Sequence, residues 1–327
     1  MARIAIIGAG ITGLTAARAL HPHAHVTVFE KARGVGGRMS TRYADPFYFD
    51  HGAQYFTARS DAFKAFLKPL IAADIVSEWN PKLVGLRPGD TPYDRFWFEP
   101  HYVARPHMNN LCKLLAEGLD VKLGTEIAPL TRTGDIWLLT TAQGEALGSF
   151  DHVISTAPPA QTQRLFGEYL PPQAALPDVN LTGCYALMLG LAAPWPHRWQ
   201  AAAVDESPIG WIALNSSKPG REANAPSLLI HATEAWSQAH INADMNTAEA
   251  KLREAITALI GNLPPIALSA LHRWRYAFAA EVDDSPGPYH LPALGISAIG
   301  DWTGAGRIEA AWQQSMTLVS LYTQELV

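Results

Sequence analysis

Hydrophobic and polar positions alternate along this chain in two distinct rhythms. Ile4-Ala5-Ile6-Ile7 is a short continuous apolar run, as a buried parallel strand requires, and the alanine-rich stretch Leu14–Leu20 behind it suits a helix. Val26-Thr27-Val28-Phe29 reads as a second strand. Helical spacing recurs at Phe63, Phe66, Leu67, Leu70 and Ile71, and again at Leu111, Leu114 and Leu115 before Gly118. Val121–Leu123 and the stretch 136–154 read as strands, the latter broken by Gly144 and Gly148. Beyond residue 160 the pattern changes to long apolar strands at Leu181–Leu191, Ile209–Leu214, Leu228–Ala232 and Leu271–Phe278. One amphipathic helix interrupts them at Ala248–Ile260, with Leu252, Ile256 and Leu259 on one face and a Glu249–Arg253 pair at i, i+4. Near the C-terminus, Gly295–Ile299 predicts a strand. A helix follows, carrying Ile308, Ala311, Trp312, Ser315, Val319 and Tyr322 on one side.

Chemistry enters where the first strand meets the first helix. Gly8, Gly10 and Gly13 have the G-x-G-x-x-G spacing. A tight turn, backbone approach to a pyrophosphate and close helix–strand packing each require a missing side chain there. The free N–H groups of the helix start, around Thr12, then face the phosphates. Glu30 closes the second strand and offers its carboxylate to a ribose diol. These features predict an adenine dinucleotide and leave NAD and FAD both open. The distant Gly300-Asp301 pair repeats the arrangement of a strand, a turn and a helix, with Asp301 a candidate for ribityl or pyrophosphate contacts. The positive end of the helix near Ile308 is expected to favour negative charge on a reduced flavin.

Composition narrows the class. A chain of 327 residues with 48% hydrophobic residues can bury a sizeable core in two domains. Net charge is −5 with scattered basic residues, which argues against nucleic acid. No run approaches the roughly 18 apolar residues of a membrane span, and the apolar N-terminus carries the glycine motif instead of a cleavage site. Cys112 and Cys184 supply neither a disulfide framework nor a metal site. His21, His23 and His25 lack an accompanying acid or Cys cluster and read as a solvated turn, so no metal is assigned. A reduced, cytoplasmic location is expected.

Two stretches tilt the dinucleotide toward FAD. Lys31-Ala32-Arg33-Gly34-Val35-Gly36-Gly37-Arg38-Met39-Ser40 is a glycine-rich cationic loop in which Arg38 can offer forked donors to a phosphate. A second cradle of this kind suits an extended flavin dinucleotide. Phe47-Tyr48-Phe49-Asp50-His51-Gly52-Ala53-Gln54-Tyr55-Phe56-Thr57 reads as a strand and a tight turn whose small residues let backbone lie against a flat ring, with Gln54 at its edge. Through Gly36-Gly37-Arg38 and Asp50–Thr57, the chain resembles the FAD-containing amine oxidase superfamily and, within it, the bacterial renalases. The superfamily's glycine-Met entry to the helix near Leu111 is His107-Met108 here, a departure at that point.

The resemblance implies an α/β fold with a Rossmann-like FAD-binding domain of the para-hydroxybenzoate hydroxylase type, discontinuous in sequence, and a mixed sheet-plus-helix substrate domain. The expected boundaries are 1–60, 105–159 and 291–327 for the former, 61–104 and 160–290 for the latter. Expected cofactor contacts are Gly8, Gly10, Thr12, Gly13, Glu30, Lys31, Gly37, Arg38, Met39, Gln54, Ile127, Asp301 and Ile308. Candidate substrate contacts are Tyr55, Thr57, Phe96, Trp97, Phe98 and Tyr185. On a strand, Phe96 and Phe98 would share one face and Trp97 the other, with Arg95 available to steer an anion. Trp195, Trp199 and Trp211 are either structural or cavity-lining.

The function implied by the resemblance is oxidation of 2- and 6-dihydro isomers of NAD(P) to NAD(P)+, with hydride passing to flavin N5 and O2 reduced to H2O2. No protein residue is assigned a catalytic role, because the cofactor carries such chemistry. A flavin amine oxidase and a non-catalytic dinucleotide-binding regulator are the alternatives.

Overall fold

A computed structural model gives the fold and describes residues 1–171, 176, 179, 181–279 and 286–324. The chain forms two compact units. One comprises residues 1–37, 111–180 and 279–327; the other comprises 38–110 and 181–278. Their bounds part from the expected functional domains at four stretches, 38–60, 105–110, 160–180 and 279–290. Residues 38–60 pack within the second unit, where Phe47 and Phe49 join a core with Met188 and Leu229. Residues 160–171 belong to the first, where the helix Pro159–Phe166 buries Leu165 and Phe166.

The first unit is built on a six-stranded sheet in the order Tyr289–Leu291, Ile296–Ala298, His152–Ser155, Arg3–Ile7, His25–Glu30, Asp120–Leu123. All neighbours are parallel except the antiparallel Tyr289–Leu291 edge. After Arg3 the central strand is apolar because a parallel strand is covered on both faces, and Ile4, Ala5 and Ile6 are fully buried. The helix Ile11–Leu20 follows it, and the long C-terminal helix Arg307–Gln324 packs beside this helix, with Ser315 Oγ donating to the Thr12 carbonyl at 2.9 Å. A three-stranded antiparallel sheet spans Thr131–Phe150.

The second unit holds a seven-stranded sheet in the order Ile266–Ala279, Leu181–Leu191, Ser227–Ala232, Ile209–Leu214, Ala201–Val204, Leu83–Leu86, Tyr93–Asp94. One face carries Leu187, Ile230, Ile212, Ala202 and Val84. These pack with Ala248, Leu252 and Ile256 of the helix Met245–Ile260. The register places Ala186, His231, Trp211 and Ala203 in one row on the opposite face.

Phe96, Trp97 and Phe98 do not lie on a strand. Pairing at this sheet edge is confined to Tyr93 and Asp94 opposite Gly85 and Val84, and ends with Arg95 N–H donating to the Leu83 carbonyl at 3.1 Å. The partner strand starts at Leu83, and the Lys82 carbonyl before it accepts from the Gln200 and Ala201 N–H groups instead, so the pairing ends there. Among the described residues, no helix is long and apolar enough to cross a membrane.

Candidate active site

In the first unit, the glycine turn is shaped by close approach. A Cβ at Gly13 would overlap the Gly8 carbonyl, so helix and strand meet at a distance only glycine permits. Gly10 caps the helix with extended backbone and no side-chain hydrogen bond, and the first turn contains no acidic residue. The first N–H groups of a helix have no intrahelical acceptor, so this start presents donors and positive dipole to an anion. Glu30 lies close by, 9% exposed. One carboxylate oxygen accepts from Ala9 N–H and the other from Ala32 N–H, both at 2.8 Å. An ionised carboxylate has about four acceptor positions, which leaves capacity for two ribose hydroxyls. An adenine dinucleotide fits this donor set. Thr12 is buried, Lys31 exposed, and Ile127 half-buried in a bridge to Thr141. Asp301 is buried at the head of a short turn where its carbonyl accepts from Gly304 and Gly306 N–H at 3.0 and 3.1 Å. Ile308, half-buried, is the second residue of the last helix. Gly37 begins the short turn Gly37–Met39.

In the second unit, the Asp50–Gln54 turn is clamped from several sides. Asp50 is fully buried. One of its oxygens accepts from Thr41 Oγ1 at 2.8 Å and Met108 N–H at 3.0 Å. The other accepts from Lys218 Nζ at 3.3 Å and Arg221 Nη2 at 2.6 Å. Burial pushes the Asp50 pKa up, but the Lys218 and Arg221 charges with the Arg221 and Met108 hydrogen bonds outweigh it and hold the carboxyl well below the usual range. Burial lowers Lys218 to about 8 against the raising influence of Asp50. The His51 carbonyl accepts from Trp274 Nε1 at 2.9 Å and from His231 Nε2 at 3.2 Å. Gly52 lies so close to the Arg38 carbonyl that a Cβ would overlap it, and Ala53 N–H donates to that carbonyl at 2.8 Å. The result is a preorganised turn of the kind that precise positioning needs.

Gln54 does not present its amide at a ring edge. Nε2 donates to the Asp50 and Gly52 carbonyls and Oε1 accepts from Lys218 at 3.4 Å, so the amide is engaged within the turn. Arg38 Nη1 donates to the Ala277 carbonyl at 3.2 Å, and Met39 is buried.

The candidate substrate residues divide. Tyr55 and Trp97 come together at 5.2 Å between ring centroids. They belong to an aromatic group completed by His101, Trp79 and Trp211. Thr57 is half-buried. Phe96 and Phe98 are 76% and 101% exposed and form no wall, because the chain has left the sheet there. Tyr185 is fully buried, its hydroxyl donating to the His240 carbonyl at 2.7 Å and its ring edge-on to Trp236, so it is a core residue. Trp199 is likewise core.

Sequence reasoning missed the ionic role of Asp50 and, with it, Lys218 and Arg221. It also missed His101 and Trp79. Lys218 and Arg221 lie in the polar stretch Asn215-Ser216-Ser217-Lys218-Pro219-Gly220-Arg221, which reads as a solvated loop, and their partner is 168 and 171 positions away.

A Rossmann-like unit with this carboxylate and glycine turn, accompanied by a sheet-bearing second unit, defines an adenine-dinucleotide-binding protein. Residues 97–314 match the family described as "Flavin containing amine oxidoreductase", and residues 6–70 match "NAD(P)-binding Rossmann-like domain". The chain belongs to the flavin-containing amine oxidoreductase family, and its cofactor is FAD. Within it the chain is renalase-like: Renalase of Mus musculus is 24% identical over 319 residues, covering 89% of this chain and 90% of that one. A 4,4'-diapophytoene desaturase of Staphylococcus aureus (strain Newman) is 53% identical, but over only 51 residues, or 15% of this chain and 10% of its own. Among solved structures, a putative protoporphyrinogen oxidase from Exiguobacterium sp. 255-15 shares the fold with a TM-score of 0.79 at 14% identity. Putrescine oxidase does so at 0.76 and 14%; both comparisons cover 99% of each chain.

Proposed function

We propose that this flavoprotein is an oxidase that returns 2- and 6-dihydro isomers of NAD(P) to NAD(P)+, with O2 reduced to H2O2. The observation that carries the reading is the renalase similarity, which runs through nine-tenths of both chains, whereas the desaturase similarity covers about fifty residues. Hydride acceptance at N5 and reoxidation by O2 are the chemistry that FAD supplies when bound. The chain's share is binding and position. Gly8, Gly10, Thr12, Gly13, Glu30 and Asp301 would hold the dinucleotide, and Lys31, Gly37, Arg38, Met39, Ile127 and Ile308 are proposed further contacts. Tyr55, Trp97 and Thr57 are proposed on the substrate side, where half-buried rings exclude water from a planar ligand.

The test is an aerobic turnover experiment with FAD-loaded protein and 6-dihydroNAD. The expected result is NAD+ and H2O2 in equal amounts. Slow or no turnover with dihydronicotinamides, together with fast peroxide production from an amine, would replace this reading with the amine oxidase one.

A further inference from the structure

We propose that Trp211 and His101 act as a hydrogen-bond donor and acceptor that together recognise a primary carboxamide on the substrate. The inference rests on the dihydronicotinamide reading above and specifies how the second unit would select it.

The register turns Trp211 away from the hydrophobic core of the second unit. Its strand neighbour Ile212 and the opposite Ile230 fill that core, while Trp211 shares the other face with His231 and Ala203. Its Nε1 is buried and has no hydrogen-bond partner among the described residues. An indole N–H normally finds an acceptor when buried, because leaving it unmade is costly. Tyr55 stands edge-on to Trp211 at 5.7 Å, and on Tyr55 also leans His101, at 4.5 Å. Trp97 stacks on His101 at 3.7 Å and 17°.

The tautomer of His101 follows from its partner. Nδ1 faces the Glu99 carbonyl at 2.7 Å, and a carbonyl only accepts, so Nδ1 carries the proton and Nε2 offers a lone pair. Burial lowers the pKa of this imidazole, which keeps it neutral around pH 7. The two rings flanking Tyr55 therefore provide one donor and one acceptor. A primary carboxamide is the complement of that pair, since its oxygen accepts and its NH2 donates. An alkylammonium has three donors and no acceptor, so it would leave the Trp211 N–H unpaired whatever cation–π attraction the rings supplied. A carboxylate would satisfy Trp211 but set its charge against the His101 lone pair.

The experiment uses FAD-loaded enzyme with 6-dihydroNAD and the corresponding analogue bearing a carboxylate in place of the carboxamide. Trp211→Phe keeps an aromatic ring and removes the donor. The expected result is a roughly tenfold higher KM for the carboxamide, with kcat changing less than KM. His101→Phe should reduce the preference for carboxamide over carboxylate. An unchanged KM in Trp211→Phe, with 6-dihydroNAD still oxidised, would overturn this inference and leave the functional reading standing. Failure of the unaltered enzyme to oxidise any dihydronicotinamide would overturn both. A measurement on the unaltered holoenzyme needs no variant to fold: nicotinamide should perturb the protein's tryptophan fluorescence at concentrations where benzylamine does not. The reverse order would contradict the carboxamide site.

Discussion

Asp50 faces two cations, Lys218 and Arg221, all three side chains being at most 2% exposed. The carboxylate is the only negative member, so the consequences of removing charges are unequal. Asp50→Asn leaves two buried cations without a counter-charge and should destabilise by about 3–5 kcal/mol, the cost of breaking a buried pair from one side. Lys218→Met removes the surplus cation while Arg221 still holds Asp50, and should cost far less. Thermal unfolding of the two variants checks the order; an equal loss would mean that Lys218, not Arg221, is the main partner of Asp50. Glu30 provides a second prediction at this scale. Glu30→Ala removes charged acceptors worth about 1.5–3 kcal/mol each, so FAD should dissociate more readily by at least tenfold in a fluorescence titration. Unchanged retention would contradict the ribose assignment. The two residues differ in legibility. The place of Glu30 beside the glycine turn was readable because it is local, set by a turn 17 to 22 positions upstream. Asp50 was visible within its motif, but the charges that define it come from a loop in a distant part of the chain.

The elements that repeat a strong period were legible to within a few residues. The strand Leu181–Leu191 has the bounds its apolar run predicts, the helix expected at Ala248–Ile260 spans Met245–Ile260, and the last helix starts at Arg307 where Ile308 was expected. What periodicity could not provide is which face of an all-apolar strand meets which layer. Tyr185, a substrate-contact candidate by sequence, lies in the core instead, among residues buried on both faces of its strand. Phe96–Phe98 failed for a different reason: alternation describes a strand only where a partner exists, and the partner had already ended at Leu83. Leu252 tests the packing of the long helix against the sheet. It is fully buried among Ile212, Ile230 and Leu187. Leu252→Ala should cost about 2–5 kcal/mol through lost transfer energy and a residual cavity, measured by denaturant unfolding. A loss below 1 kcal/mol would show that the helix is not anchored there.

At the scale of the whole chain, buried neutral histidines tie stability to pH in both units. Burial lowers His152 in the first unit to about 3 and His51 and His231 in the second to about 4. The ordinary histidine value is 6.5. Folded protein therefore binds fewer protons than unfolded protein between pH 6.5 and about 4, and stability is lost as pH falls through that window. Each histidine contributes up to about 1.4 kcal/mol per pH unit. Lys218 has the same sign at the alkaline side: its lowered folded value makes stability rise between about pH 8 and 10.5, a rise that Lys218→Met should remove. Unfolding free energies measured from pH 7 to 4.5 should show the acid slope, and a flat profile would mean that these imidazoles are not buried neutral. The class of the protein was legible from the two ends of the chain, whereas the substrate rests on family similarity. The most direct measurement is thus anaerobic mixing of FAD-loaded protein with 6-dihydroNAD, ordinary NADH and a panel of amines while the flavin absorbance is followed. The account predicts rapid bleaching by 6-dihydroNAD and little by the others. Rapid bleaching by an amine, with 6-dihydroNAD inert, would contradict it.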